Sequence, residues 1–148
     1  MTDDDADARR RLLELLDEEV RETACWLGTD RLDPRVRNAM ERVPRHEFVP
    51  SWERPFAWTN RPLSIGRGQT ISQPYIVAAM TQLLQLRPDS RVLEIGTGCG
   101  YQAAVLAEVA GEVWSVERIR ELADAAAERL ARLGYSNVHV RVGDGMQG

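Results

Sequence analysis

The residues with the clearest chemical potential are Val92-Leu93-Glu94-Ile95-Gly96-Thr97-Gly98-Cys99-Gly100-Tyr101-Gln102. A short apolar run ends near an acid, three glycines follow at alternate positions, and a helix-like stretch comes next. Glycine lets the backbone turn sharply and lets a ligand lie against it. Such a turn between a strand and a helix N-terminus is how α/β proteins hold nucleotide-like ligands. Two carboxylates belong with it. Glu117 ends the next strand, where it can accept bonds from ribose hydroxyls or interact with the dipole of the following helix. Asp144 ends the third strand between two glycines, where it can accept from an adenine amino group or serve as a turn residue. Cys99 sits inside the turn near a helix N-terminus, which can lower a thiol's pKa. No base is placed beside it, so it reads as a small loop residue.

What positions these groups is a regular alternation. Arg91–Ile95 reads as a strand, Tyr101–Ala110 as a small-residue helix and Glu112–Val116 as a strand. Arg118–Leu133 reads as a helix with Leu122, Ala126, Leu130 and Leu133 inward, and Asn137–Val142 as a strand with His139 at the surface. Strand-helix-strand-helix-strand implies a parallel sheet with right-handed crossovers.

Upstream, Arg9–Leu27 carries Leu12, Leu16, Val20, Ala24 and Leu27 at helical spacing, and residues 1–8 are expected to fray. Asp33-Pro34 starts a helix lined by Val36, Met40 and Val43. Arg45–Pro50 reads as extended chain between prolines, with His46 structural or at the surface. Residues 51–69 read as an irregular loop ending in Gly66-Arg67-Gly68, a mobile turn or a close approach to ligand. Thr70–Pro74 opens the next helix, with Ile76, Val77, Met80, Leu83 and Leu84 as its buried face.

Composition narrows the classes. All nineteen basic residues are arginine. A Walker-type phosphate loop and a pyridoxal Schiff base both need lysine, so both are excluded. Net charge is −4, which gives no footprint for nucleic acid. Five arginines between Arg31 and Arg45 read as a solvated helix face rather than a docking patch for an acidic partner. The two cysteines fit no metal spacing, and no metal is expected. The acidic N-terminus is not a signal peptide, and no apolar run approaches the roughly 20 residues of a membrane span. A cytoplasmic location without membrane contact is the expectation.

The spacing E-x-G-x-G-x-G from Glu94 to Gly100 resembles motif I of the class I S-adenosylmethionine methyltransferases, and differs from the G-x-G-x-x-G of dinucleotide folds. Two further stretches, Val43–Pro50 and Arg61–Tyr75 with its run Gly68-Gln69-Thr70-Ile71-Ser72-Gln73-Pro74, resemble the N-terminal half of the protein-L-isoaspartate O-methyltransferase family. Val116-Glu117-Arg118 and Gly143-Asp144-Gly145 match the same family in order.

The resemblance implies a three-layer, Rossmann-like α/β methyltransferase fold. Residues 1–88 would form a helical and loop region contributing to the active site. Residues 89–148 would form the first β-α-β-α-β half of the cofactor domain, with the C-terminal strands absent. It implies S-adenosyl-L-methionine as cofactor, held by Gln69, Thr70, Ile71, Ser72, Glu94, Gly96, Thr97, Gly98, Gly100, Glu117, Arg118, Asp144 and Gly145. Ser72 would stand at the catalytic centre. The implied activity is protein repair: methylation of the α-carboxylate of L-isoaspartyl residues in damaged proteins and peptides. The resemblance departs after the third strand, which leaves the edge of the first strand bare. Self-association there, or an inactive fragment or interaction module that keeps only the cofactor pattern, is the alternative.

Overall fold

A computed structural model describes residues 3–147. Helix α1 (Asp3–Glu22) buries Leu12, Leu13, Leu16 and Val20 along one face. Its first turns are helical rather than frayed from Asp3 onward, which corrects the expectation for residues 3–8; Met1 and Thr2 lie outside the described residues. The physical reason is an anchor. Trp58 donates its indole N–H to Asp5 at 3.2 Å, and the Arg9 guanidinium lies 4.6 Å from the Trp58 ring centre. The helix breaks at Thr23, whose hydroxyl donates back to the Glu19 carbonyl at 2.7 Å and meets the Tyr75 hydroxyl at 2.6 Å. A single turn, α2 (Ala24–Leu27), follows.

Helix α3 (Pro34–Arg42) starts as its sequence signals: Asp33 caps it by accepting from Arg35 N at 2.8 Å, with Pro34 first in the helix. Arg35 beside it holds the Asp33 carboxyl below its usual range. The arginine cluster is split: Arg31, Arg35 and Arg42 are solvent-exposed as expected, while Arg37 and Arg45 turn inward. Arg35 pairs with Asp33, Arg37 pairs with Asp17 of α1 at 2.9 Å, and Arg45 is wholly buried.

Two local expectations are overturned. Arg45–Phe48 is a 3-10 turn, not extended chain: Glu47 N reaches the Pro44 carbonyl at 2.8 Å, and the turn buries Arg45 and Phe48 together. The stretch read as irregular contains a second 3-10 segment, Ser51–Phe56, and a β-hairpin, β1 (Leu63–Gly66) and β2 (Gln69–Ile71). Arg67 and Gly68 both take positive φ, 53° and 69°, as a tight hairpin turn with primed geometry requires. Gln69–Ile71 is therefore strand, and helix α4 (Pro74–Leu83) begins after it with Gln73 at the cap position.

Helix α4 also faces differently than expected. Val77 is buried, but Ile76, Met80, Leu83 and Leu84 are exposed, while Ala78, Ala79 and Thr81 are buried. The helix is apolar around most of its circumference. Close packing on α1, α3 and α5 selects its small-residue side.

The sheet is as expected: β3 (Arg91–Ile95), α5 (Tyr101–Val109), β4 (Glu112–Glu117), α6 (Arg120–Arg132) and β5 (Val138–Val142). All pairs are parallel, in the order β3-β4-β5, so β3 lies at an edge. Along β4, Val113, Ser115 and Glu117 point to the buried side. In α6 the inward residues are Ala123, Ala126 and Leu130; Leu122 and Leu133 are only partly covered. Ala103, Ala104 and Val105 of α5 are fully buried, and the small side chains let α5 lie close on the sheet. One hydrophobic cluster runs from Leu12 to Leu130, through both regions on either side of residue 88. On the other sheet face Leu93 and Ile95 are exposed, and His139 stacks on Trp114 at 4.4 Å. Among the described residues no helix is long and apolar enough to cross a membrane.

Candidate functional site

The glycine turn leaves β3 at Gly96, whose N–H donates to the Val116 carbonyl of β4 at 2.8 Å. Gly96, Gly98 and Gly100 all adopt positive φ, from 54° to 93°. At Gly100 space matters as well: a Cβ would stand 3.1 Å from Leu130 Cδ1, so glycine lets α5 begin directly against α6.

Glu117 ties this turn to the end of β4. One carboxylate oxygen accepts from Gly98 N at 2.9 Å and the other from Ile119 N at 2.9 Å. The side chain is 8% exposed. Each oxygen keeps a second lone-pair direction for another donor.

Glu94 stands opposite Ser115 in the sheet register and accepts from the Ser115 hydroxyl. Burial pushes its carboxyl up to about 7, the Ser115 bond opposes the rise, and the nearby Glu117 charge adds to it. Thr97 meets the same Ser115 oxygen at 2.5 Å. The Cys99 thiol goes the other way from the sequence argument: burial raises its pKa, and it packs as a small loop residue whose carbonyl accepts from Arg129 at 2.8 Å.

The hairpin and the start of α4 lie over this turn. A recess of about 60 Å³ is lined by Thr70, Ile71, Ser72, Gly96, Thr97 and Gly98, among others. An adjoining open cleft of about 290 Å³ includes Ser72, Met80, Glu94, Gly96 and Gln102 in its lining. Two chain segments more than twenty residues apart thus converge on one place. Arg45 braces the upper wall: it donates to the Ser72 carbonyl at 2.9 Å, to Ala57 at 3.0 Å and to Arg61 at 3.3 Å.

Of the residues singled out by sequence, Thr70, Ile71, Ser72, Glu94, Gly96, Thr97 and Gly98 come together at these two cavities. Gly100 and Glu117 support the turn from behind. Gln69 and Arg118 are exposed and line neither cavity. Asp144 is exposed and accepts from Met146 N at 3.0 Å, as a turn residue does. Gly145 backs onto Ile95 so closely that a Cβ would clash with it. His46 is half-buried against Trp58, a structural position that lines neither cavity.

Three residues here had no role assigned from sequence. Arg45 gave no signal, being one arginine in a cluster. Ser115 had a faint one: it is a polar residue two positions before Glu117, on the same side of a buried strand. Gln102 donates to Thr81 at 3.0 Å, and its Oε1 is buried without a partner among the described residues.

A family model described as protein-L-isoaspartate(D-aspartate) O-methyltransferase matches residues 21–148. The chain belongs to this family. Protein-L-isoaspartate O-methyltransferase 2 of Syntrophobacter fumaroxidans is 59% identical over 141 residues, covering 95% of this chain and 57% of that protein. A solved protein-L-isoaspartate O-methyltransferase superposes with a TM-score of 0.78 at 31% identity, covering 93% of this chain and 42% of that one. A β-aspartate methyltransferase from Plasmodium falciparum, solved in complex with S-adenosyl-L-homocysteine, gives 0.66 at 25% identity, covering 87% and 63%. The chain therefore spans about half the length of these isoaspartate methyltransferases. The matched half contains the hairpin, the glycine turn and all three parallel strands.

Proposed function

We propose that the chain holds S-adenosyl-L-methionine at the turn Gly96–Gly100 and contributes this site to a repair methyltransferase acting on L-isoaspartyl residues of damaged proteins and peptides. The observation that carries the reading is the convergence of Thr70–Ser72 with Gly96–Gly98 on one recess. The residues present fit the cofactor. Glu117 has acceptor directions left for ribose hydroxyls, Gln102 Oε1 has no partner among the described residues, and Glu94 lies in the cleft wall as a counterpart for positive charge. Thr70 and Ile71 wall the site, and Gln69 precedes them on β2 outside the recess. Asp144, with Gly145 and Arg118, flanks the end where an adenine amino group would be met.

When bound, the cofactor supplies an electrophilic methyl on a sulfonium. The acceptor α-carboxylate, with an ordinary pKa near 3.3–3.7, is already ionised at pH 7, so no general base is required. The protein's task is then to exclude water and hold the reactants in line. Ser72 is exposed, lines both cavities and has its carbonyl held by Arg45, which supports a role in which its hydroxyl would donate to the acceptor carboxylate.

Label from methyl-tritiated S-adenosylmethionine is expected on an isoaspartyl peptide and not on its aspartyl twin; equal labelling of both rejects the substrate assignment. Glu117→Ala is expected to weaken S-adenosylhomocysteine binding by about 1.5–3 kcal/mol, the worth of hydrogen bonds to a charged group. Unchanged affinity in calorimetry would displace the ribose site. A cytoplasmic location fits this repair role. The exposed edge at β3, with Leu93 and Ile95 beside it, supports pairing with a second copy. A single-copy mass at high protein concentration rejects that pairing.

A further inference from the structure

Two buried hydroxyls, Thr97 in the glycine turn and Ser115 on β4 behind it, are bonded to each other in a way the binding chemistry above does not explain. Ser115 is 1% exposed and Thr97 4%. Ser115 Oγ meets Thr97 Oγ1 at 2.5 Å and also bonds Glu94 Oε1, so the three side chains form one chain from β4 through the turn to β3. A serine hydroxyl carries a single proton, so it can donate to only one of these neighbours. With Glu94 ionised, Ser115 must donate to Glu94 and Thr97 must donate to Ser115. With Glu94 protonated, the carboxyl can donate to Ser115, and Ser115 then donates to Thr97. The chain reverses direction with the charge of Glu94, and the reversal ends at Thr97, inside the turn.

We propose that Ser115 is a positioning residue that orients Glu94 toward the cleft and favours its charged form, with Thr97 supplying the second bond. This rests on the reading of the turn as the cofactor site. The charged group acting on Glu94 from the neighbouring strand is Glu117. Ser72, Met80 and Leu84 on one side of the cleft and Gln102 and Leu106 of α5 on the other carry no charge. Among the described residues the hydroxyl chain is therefore what favours ionisation before a cationic ligand arrives. A purely structural pair of hydroxyls would satisfy each other and leave the titration of Glu94 unaltered when one is removed.

The test is the side-chain carboxyl titration of Glu94 in the ligand-free protein, followed by carbon-13 NMR and assigned with Glu94→Gln. In Ser115→Ala the midpoint is expected to rise by about one unit, because the charged form loses its donor. Ser115→Thr, which keeps a hydroxyl on a β-strand, restores it. Thr97→Val, nearly isosteric, shifts it the same way by less. In a second arm, saturating S-adenosylhomocysteine lowers the midpoint in wild type, and Ser115→Ala binds roughly ten-fold more weakly at pH 6.5. An unchanged ligand-free midpoint in both Ser115→Ala and Thr97→Val overturns the proposal. So does a rise in Ser115→Ala that Ser115→Thr reproduces in full. If S-adenosylhomocysteine does not bind wild type at all, the cofactor reading fails, and the ligand-free titration still decides the role of Ser115.

Discussion

Glu94→Gln is expected to stabilise the protein at pH 8 and to leave it nearly unchanged at pH 4.5. The folded-state pKa of Glu94 lies near 7, against 4.5 for an ordinary glutamate, chiefly because the carboxyl is buried. Between those values the folded protein binds a proton that the unfolded chain has released. Stability therefore falls as pH rises through this window, and above about 7 the full penalty is present. The shift corresponds to an order-of-magnitude cost of about 3 kcal/mol at pH 8. Glutamine has no charge to desolvate, and its amide can still bond Ser115. Denaturant midpoints of wild type and variant at the two pH values check this; equal differences at both would mean that Glu94 carries no ionisation penalty. A protein that keeps a destabilising acid in a cleft wall follows the usual trade of stability for function. The same substitution should weaken binding of a cationic ligand while strengthening the fold.

Arg45→Leu is expected to cost about 3–5 kcal/mol, enough to unfold a marginal domain. The side chain is 0% exposed, and its hydrogen-bond partners among the described residues are carbonyls, those of Ala57, Arg61 and Ser72. Its guanidinium lies 4.8 Å from the centre of the Tyr101 ring. Burial pushes its pKa down. Two effects compete. Removing an uncompensated buried charge recovers desolvation energy, but leaving three carbonyls without donors costs about 1–3 kcal/mol each. The carbonyls win, because leucine offers them nothing. Lysine recovers little, since a point charge cannot reproduce the planar fork that reaches three acceptors. Loss at Arg45 also frees the Ser72 carbonyl, so ligand affinity should fall even under conditions where the variant remains folded. An unaltered unfolding midpoint would contradict the bracing role.

Much of this was legible because the responsible patterns are local. The short apolar run at Arg91–Ile95, the period-two run at Val138–Val142, small residues in α5 and alternate glycines after Glu94 mark strand, helix and turn without tertiary context. The Asp33-Pro34 helix start was legible for the same reason. What escaped depends on partners far along the chain. The first turns of α1 hold because Trp58 reaches Asp5, fifty-three residues away in sequence. Gly66-Arg67-Gly68 looks like loop, yet strand pairing between Leu63 and Ile71 makes it a hairpin turn. The apolar residues of α4 could not reveal which side packs, since both sides are apolar. Arg45 is indistinguishable in type from the arginines around it, and only the fold turns it inward. At the site, Thr70–Ser72 and the glycine turn were readable as motifs, whereas the support from Ser115 required the register that sets it opposite Glu94.

The most direct test of the account is a structure of the protein with S-adenosylhomocysteine. The ribose hydroxyls are expected within hydrogen-bond distance of the Glu117 carboxylate, with the amino-acid end over Gly96 beside Glu94 and beneath Ser72. A ligand found elsewhere, or no binding at millimolar concentration, would contradict the assignment of the Gly96–Gly100 turn as the cofactor site.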